Sequence, residues 1–199
     1  MITRKEMTRM LLKEGLLSCL ANNSFESVTV TSLCKASGIT RATFYLHYSN
    51  IMEIVDDLVD DAIAYSKPGM VDNNNLQIIA KTLSAASNSV SLKEAYDSIF
   101  DRLPLCQRII RHKKYLPLFL DEQISEYVLQ RIIGSEKDRQ GLVMAEALGI
   151  SFDVGVSVFV FLVHGLYAIN KEYKWTQSDE WLEAQKVIFE LVYRGLQSK

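Results

Sequence analysis

Hydrophobic positions recur at helical spacing along almost the whole chain. From Thr3 to Leu20, the residues Met7, Met10, Leu11, Leu17 and Leu20 fall at three-, four- and seven-residue steps, which predicts an amphipathic helix with that stripe inward. Asn22-Asn23-Ser24 then interrupts it with turn-forming side chains. Thr29 or Thr31 is placed to cap a short helix through Lys35, which Gly38 stops, and a second short helix follows from about Arg41 to His47. Asn50-Ile51-Met52-Glu53 has capping-box spacing, with Asn in place of Ser or Thr, and opens a helix through about Tyr65.

Ser66-Lys67-Pro68-Gly69, followed by Asp72-Asn73-Asn74-Asn75, is the clearest break in the pattern. Beyond it Leu76 to Ala86 is periodic, and Ser91-Leu92-Lys93-Glu94 is a second capping box leading to Phe100. Pro104 and Pro117 each suit the first turn of a helix. The polar, charged stretch from Gly134 to Gly141 predicts a loop. Val154, Val156, Val158 and Val160 alternate as a buried strand does. No second strand-like segment exists to pair with them, so Val154 to Ile169 reads as helix. A last helix runs from near Ser178 to Leu196, with Trp181, Ile188, Leu191 and Val192 on one stripe. The expected fold class is all-α.

Composition agrees with a soluble globular chain: 199 residues, 48% hydrophobic and 23% charged, with too few prolines and glycines for a low-complexity protein. Cys19, Cys34 and Cys106 are an odd number, widely spaced and without a CxxC pair, which predicts buried thiols in a reducing compartment. The amino terminus turns charged at once, unlike a secretory leader. The longest apolar stretch, Val154 to Val163, is shorter than the roughly 20 residues of a membrane span. The expectation is a cytoplasmic protein that does not enter a membrane. His47, His112 and His164 lie far apart, and no HExxH, GxSxG or glycine-rich phosphate loop occurs. No catalytic residue, metal site or cofactor is therefore expected, and the chain does not read as an enzyme.

Charge changes the picture once the chain is divided. The formal net charge is −2, but residues 1–48 carry six basic residues (Arg4, Lys5, Arg9, Lys13, Lys35, Arg41) against three acidic ones, a surplus of +3. The remainder has 16 against 21, a deficit of −5, concentrated in Glu53, Asp56, Asp57, Asp60 and Asp61. A basic first segment on an acidic body fits local phosphate binding.

That segment also contains a helix-turn-helix pattern between Val30 and Tyr48. Two steeply crossing helices need a small residue at their contact, and Cys34 is small. The tight turn needs positive φ, which Gly38 tolerates. Leu33, Ile39 and Phe44 are spaced to bury the inner faces, while Thr40, Arg41 and Thr43 place short polar and basic side chains at the start of the second helix. A generic helical hairpin ending on a glycine fits the same spacing.

Residues 9–54 further resemble the amino-terminal domain of tetracycline-repressor (TetR)-type transcriptional regulators. The match lies in Phe25, Thr29, Leu33, Gly38, Ile39, Thr40, the run Thr43-Phe44-Tyr45-Leu46-His47-Tyr48, and Glu53-Ile54. The Thr-Phe-Tyr-x-His-Tyr core is close to that family's Thr-hydrophobic-Tyr-x-His-Phe string. The carboxy-terminal half is similar more loosely, through Phe161 to Leu166 and Leu191 to Leu196. Departures occur at Ser24, where the family has Gly, and at Cys34 and Ser37, where it has Ala. Ile51 stands where the family commonly places a phosphate-binding Lys.

The resemblance implies a three-helix DNA-binding domain over residues 1–49 and a larger helical effector-binding and dimerisation domain over 50–199. Thr29 and Thr31 are expected to hold phosphates and fix register. Thr40, Arg41, Ala42 and Thr43 are expected to enter the major groove, with Arg41 taking either a guanine or a phosphate and the methyl groups of Ala42 and Thr43 suited to thymine. Tyr45 and His47 are similar to the family's flanking phosphate contacts, whereas Phe44 and Tyr48 read as core. Dimerisation is expected through the last two helices, with Val156, Phe159, Val160, Val163, Tyr167, Ile188, Leu191 and Val192 as interface residues. Phe100, Leu103, Tyr115, Phe119, Tyr127 and Phe152 are the expected lining of a pocket for an unknown small-molecule effector. The basic run Arg108, Arg111, His112, Lys113, Lys114 reads as a solvated helix end.

The function so implied is a transcriptional regulator, in the family's commoner mode a repressor. It would bind a palindromic double-stranded operator as a homodimer and be released by its effector. The alternative is a helical adaptor with the regulator fold that binds a protein partner instead of DNA.

Overall fold

Each of the amino-terminal helices starts on a side-chain cap. The computed structural model describes residues 2–66, 75–86, 91–103, 107–108 and 113–197. Among them are helices and no strand, so the alternating valines belong to a helix and the fold is all-α. The chain groups into two compact units, Met1–Tyr65 with His112–Ile132, and Ser66–Arg111 with Ile133–Lys199. Pro104, Cys106, Arg111, His112 and the break over 67–74 lie outside the described residues.

In the first unit, helix α1 (Arg4–Leu20) opens on Thr3, which accepts from the Glu6 N–H while the Glu6 carboxylate accepts from the Thr3 N–H. The stripe that α1 buries matches the expected one at Leu17 and Leu20 and differs toward the amino end. Met7 and Leu11 are 43% and 36% exposed, and the inward face is Leu12, Leu16, Leu17 and Leu20 with Thr8 and Gly15. Gly15 belongs to that face because a Cβ there would meet Ser37 of α2, which hydrophobicity does not register. Helix α2 (Val30–Ser37) packs on α1, followed by α3 (Arg41–Tyr45) and α4 (Ile51–Ser66). Helix α7 (Leu116–Leu120), with Pro117 in its first turn as expected, also packs on α1. Just beyond α7, the Asp121 carboxylate accepts from the Phe25 N–H at 2.6 Å and from the Gln123 and Ile124 N–H groups.

The second unit is built from α5 (Asn75–Ser84), α6 (Leu92–Ser98), the later part of α8 (Ser125–Leu148), α9 (Phe152–Glu172) and α10 (Asp179–Gln197). Ser91 and Glu94 form the expected capping box of α6. Ile79, Leu83, Tyr96, Leu166, Trp181 and Phe189 are among the residues of its core. The loop expected from Gly134 to Gly141 is not there: α8 runs through it without a break. Lys137, Asp138 and Arg139 lie on its exposed side, and buried Glu136 pairs with Arg139 at 2.6 Å. Gly141 is a packing residue, lying against Val156 of α9. Helix α9 has 21 residues, more than the apolar stretch from which it grows, and is long and apolar enough to cross a membrane by length and composition.

Candidate nucleic-acid interface

Thr29, not Thr31, caps α2: its hydroxyl accepts from the Ser32 N–H at 3.1 Å, and the Ser32 hydroxyl oxygen accepts from the Thr29 N–H at 2.9 Å. Helix α2 ends on Gly38 at φ 66°, a left-handed conformation that side chains with a Cβ adopt only under strain. The chain re-enters helix two residues later, where Thr40 accepts from the Thr43 N–H at 3.1 Å. Leu33 and Phe44 are fully buried, Tyr48 and Cys34 nearly so, and Ile39 is half-buried. Burial pushes the Cys34 thiol up, offset in part by the Arg41 charge.

What remains outward is the surface the sequence singled out. Thr29, Thr31, Thr40, Arg41 and Ala42 are exposed, Tyr45 is 53% exposed, and Thr43 and His47 are half-buried. The Tyr45 ring meets the buried Phe44 ring edge-on at 5.1 Å, which fixes its direction. Thr29 and Thr40 serve as caps as well, and the Thr40 and Thr43 hydroxyls share a hydrogen bond at 2.9 Å. Nδ1 of His47 is buried without a hydrogen-bond partner among the described residues. One neighbour escaped the sequence reading. Helix α3 ends at Tyr45, short of His47, which leaves Leu46 81% exposed beside it.

The charges of the first unit divide into two sets. Arg9 and Lys13 are paired with Asp57 and Asp61 of α4, and Arg131 reaches Asp60 at 2.9 Å and Asp56 at 3.4 Å. Tyr48 joins the Arg9–Asp57 pair, donating to Asp57 at 2.5 Å and accepting from the Arg9 Nε–H at 3.1 Å. The hydrogen bond to Asp57 raises Arg9 further above its usual range; burial, then the same carboxylate, pushes the Tyr48 phenol up. The acidic run of α4 is thus met by cations of its own unit. Arg4, Lys5, Lys35 and Arg41 are exposed and have no ion pair among the described residues, so the basic surplus stays available on the surface.

The start of α4 is a different matter. Asn50 accepts from the Glu53 N–H at 3.1 Å, as the capping spacing predicts, and the Glu53 carboxylate accepts from the Ser49 N–H at 2.8 Å. With Ile51 half-buried and a carboxylate at the helix start, this end is poorly suited to a phosphate.

The remaining expected residues are dispersed. Tyr115 and Phe119 are buried and Tyr127 is 38% exposed in the first unit, Tyr127 donating to Asp56 at 2.5 Å. Phe100 and Leu103 pack in the core of the second unit, whereas Phe152 is 44% exposed. Along α9, Phe159, Val163 and Tyr167 turn inward and are buried, with Val156 and Val160 half-buried. Its exposed apolar residues are instead Phe152, Val154 and Phe161. On α10, Leu191 is 64% exposed, Ile188 and Val192 are half-buried, and Val187 adds an exposed apolar side chain. Arg108 is buried at 4% exposure, not solvated as its basic neighbourhood implied.

No protein-family model matches the chain, and no curated protein sequence matches it significantly. Among solved structures it is similar to the TetR family repressor AlkX from Dietzia sp. strain DQ12-45-1b, described as implicated in biodegradation of n-alkanes. That likeness spans 95% of each chain at 14% identity, with a TM-score of 0.39. At that level the functional reading rests on the surface around α2 and α3 itself.

Proposed function

We propose that the chain is a DNA-binding transcriptional regulator of the TetR type, acting as a two-fold dimer on a palindromic operator. In this reading residues 1–49 read DNA, and residues 50–199 hold the dimer together and take an effector. The observation that carries it is the pairing of a glycine turn with opposite faces of α3: Phe44 inward, and Thr40, Arg41, Ala42 and Tyr45 outward. Arg41 supplies a bidentate donor, and the methyl groups of Ala42 and Thr43 are apolar edges for thymine. Thr31, Tyr45 and the exposed Arg4, Lys5 and Lys35 suit phosphates and fix register.

A dimer is supported by the second unit. Phe161 is 74% exposed and Leu191 64%, with Val154 and Val187 near half, more uncovered apolar surface than peripheral helices carry. A second copy would cover it and set two recognition helices about one DNA turn apart, so repression and release reduce to dimer geometry.

Selection of bound sequences from a random duplex pool tests the reading: a palindrome with half-sites about one turn or its multiples apart is expected. The adaptor reading is favoured by one observation, the exposed Leu46 beside Tyr45, which suits an apolar protein contact. Salt separates the two, because a regulator loses duplex affinity steeply as salt rises and an adaptor has none to lose.

A further inference from the structure

The connection between α1 and α2 is held by a residue from far along the chain. It contains a 3₁₀ turn, Phe25–Ser27, that starts on Ser24, whose side chain makes no capping hydrogen bond. The turn closes on itself through the Ser27 and Val28 N–H groups, which donate to the Ser24 and Phe25 carbonyls at 3.0 Å. The Phe25 N–H, one of the donors that a helix start leaves over, takes no part in this closure. It donates instead to Oδ2 of Asp121 at 2.6 Å, 96 positions on. Oδ1 of the same carboxylate accepts from the Gln123 and Ile124 N–H groups at 3.0 and 3.2 Å, just before α8. Asp121 is 9% exposed.

Both oxygens are thus committed, each to a different element of the first unit. An asparagine in this place has only one oxygen. If that oxygen keeps the α8 contacts, the amide nitrogen meets the Phe25 N–H, donor against donor. A hydrogen bond to a charged acceptor away from water is worth more than the contacts beside it. Those are Gln123 Nε2–H to Glu26 at 2.8 Å and Arg131 to Asp60 of α4 at 2.9 Å, both at the solvent-exposed surface. Val28 alone separates the turn from Thr29, the cap of α2. Whatever holds the turn therefore also sets where Thr29 and Thr31 stand.

We propose that Asp121, well outside residues 1–49, is a positioning residue for DNA binding. It holds the Phe25–Ser27 turn so that the start of α2 presents Thr29 and Thr31 to phosphate, and it acts through the Phe25 backbone. The hold on the turn stands by itself; its role in DNA binding rests on the regulator reading above. Helix α3 has its own cap at Thr40 and its own anchor at Phe44. Loss of the Asp121 contact therefore lowers affinity for every sequence alike and leaves the choice among sequences as it was.

The test uses the full chain and two variants that break the same bond from opposite ends. Asp121→Asn removes the acceptor. Phe25→Pro removes the donor at the first position of its turn, where proline fits, and Ser24 before it, at ψ 152°, already has the extended backbone that proline requires. Amide hydrogen exchange reads the hold on the turn. Each variant is expected to speed exchange of the Ser32 and Leu33 N–H groups, which donate to Thr29, by about tenfold, while the Leu16 amide of α1 keeps its rate. Duplex titration then reads the role in binding, with a selected operator and single-base variants of it. Affinity of the active fraction is expected to fall about tenfold in each variant and by the same factor for every sequence. The double variant is expected to lose no more than Phe25→Pro alone, because the bond is already gone. Unchanged exchange in both variants overturns the hold on the turn. Faster exchange with unchanged dissociation constants, a loss confined to the active fraction, or an additive loss in the double variant overturns the role in DNA binding. A parent chain that selects no duplex from a random pool overturns the regulator reading and that role with it, while exchange still decides the hold. If Asp121→Asn does not fold for want of its α8 contacts, Phe25→Pro decides by both measurements.

Discussion

A Cβ built on Gly15 of α1 would lie 2.0 Å from Oγ of Ser37, the last residue of α2. The Ser37 hydroxyl cannot swing clear freely, because it donates to the Leu33 carbonyl at 2.8 Å. Gly15→Ala must therefore push α2 away from α1 and carry the Gly38 turn with it. The expected loss is about 1–3 kcal/mol, the range for overpacking a close contact. Ser37→Gly in the same chain removes both clashing atoms and is expected to recover part of the loss. Urea unfolding of the two single variants and the double variant measures the coupling.

Arg41 is exposed at the first turn of α3, and its loss leaves the Thr40 cap and the Phe44 anchor in place. Arg41→Ala is therefore expected to keep the melting temperature and to weaken specific duplex binding by about 1–3 kcal/mol if the guanidinium reads a base. If it holds a phosphate, affinity falls evenly across sequences and the salt slope drops by about 1. Gel-shift titration at several salt concentrations distinguishes these outcomes. Undiminished binding by a triple variant, Arg41→Ala, Thr43→Ala and Tyr45→Phe, overturns the assignment of this face.

Much of this face was legible because its chemistry is local. A Gly with φ 66°, a cap at Thr40 and anchors at Leu33 and Phe44 follow from residue type and spacing within a few turns of chain. The unbroken α8 was not legible: Gly134 to Gly141 is polar like a loop, and the close approach of Val156 of α9 that Gly141 accommodates comes from a residue 15 positions away. The inward face of α1 was read in part, at Leu17 and Leu20; Gly15 was missed because it matters through Ser37, a partner 22 residues away. Along α9 the pattern of apolar residues likewise did not tell the inward side from the outward one. Phe159 and Phe161 are equally apolar, and packing alone decides which one is buried.

Tyr48, at 3% exposure, ties α1 to α4 by donating to Asp57 and accepting from Arg9. Burial and the Asp57 hydrogen bond raise its phenol above the ordinary value of 10.0, so the folded chain holds this proton more tightly than the unfolded one. Its contribution is complete below pH of about 10 and is lost as pH climbs toward the folded value. Urea unfolding at about pH 9 and about pH 11 is expected to show that loss, and Tyr48→Phe to lessen it. At neutral pH the same variant costs about 1 kcal/mol, one net hydrogen bond, because the Arg9–Asp57 pair survives. A tyrosinate absorbance titration in which Tyr48→Phe removes no late-ionising phenol would contradict this account.

Gly155 of α9 sets a second close approach. A Cβ there would lie 2.3 Å from the Gly141 carbonyl oxygen and 2.9 Å from the Ala145 nitrogen, both backbone atoms of α8. At Gly141 the first atom met is a side-chain methyl, Cγ2 of Val156, at 2.4 Å. Backbone yields less than a methyl group, so Gly155→Ala is expected to cost more than Gly141→Ala, toward the upper end of about 1–3 kcal/mol. Val156→Ala is expected to relieve Gly141→Ala and to leave Gly155→Ala unrelieved. Thermal melting of the four variants orders these costs, and the reverse order would mean that the two helices separate rather than cross here.

Phe161 is 74% exposed at the middle of α9, and Leu191 of α10 is 64% exposed. In a monomer, charge at either position touches little and should change stability by less than about 0.5 kcal/mol. In a two-fold dimer the same charge is buried twice, once from each copy, against an apolar surface that cannot neutralise it. Phe161→Glu is therefore expected to turn a sedimenting dimer into a monomer while circular dichroism shows an unchanged helical fold. Operator affinity should fall with it, because a single recognition helix gives up half of the base and phosphate contacts. A Phe161→Glu chain that sediments as a dimer and binds the operator as well as the parent would place the dimer contact on another face.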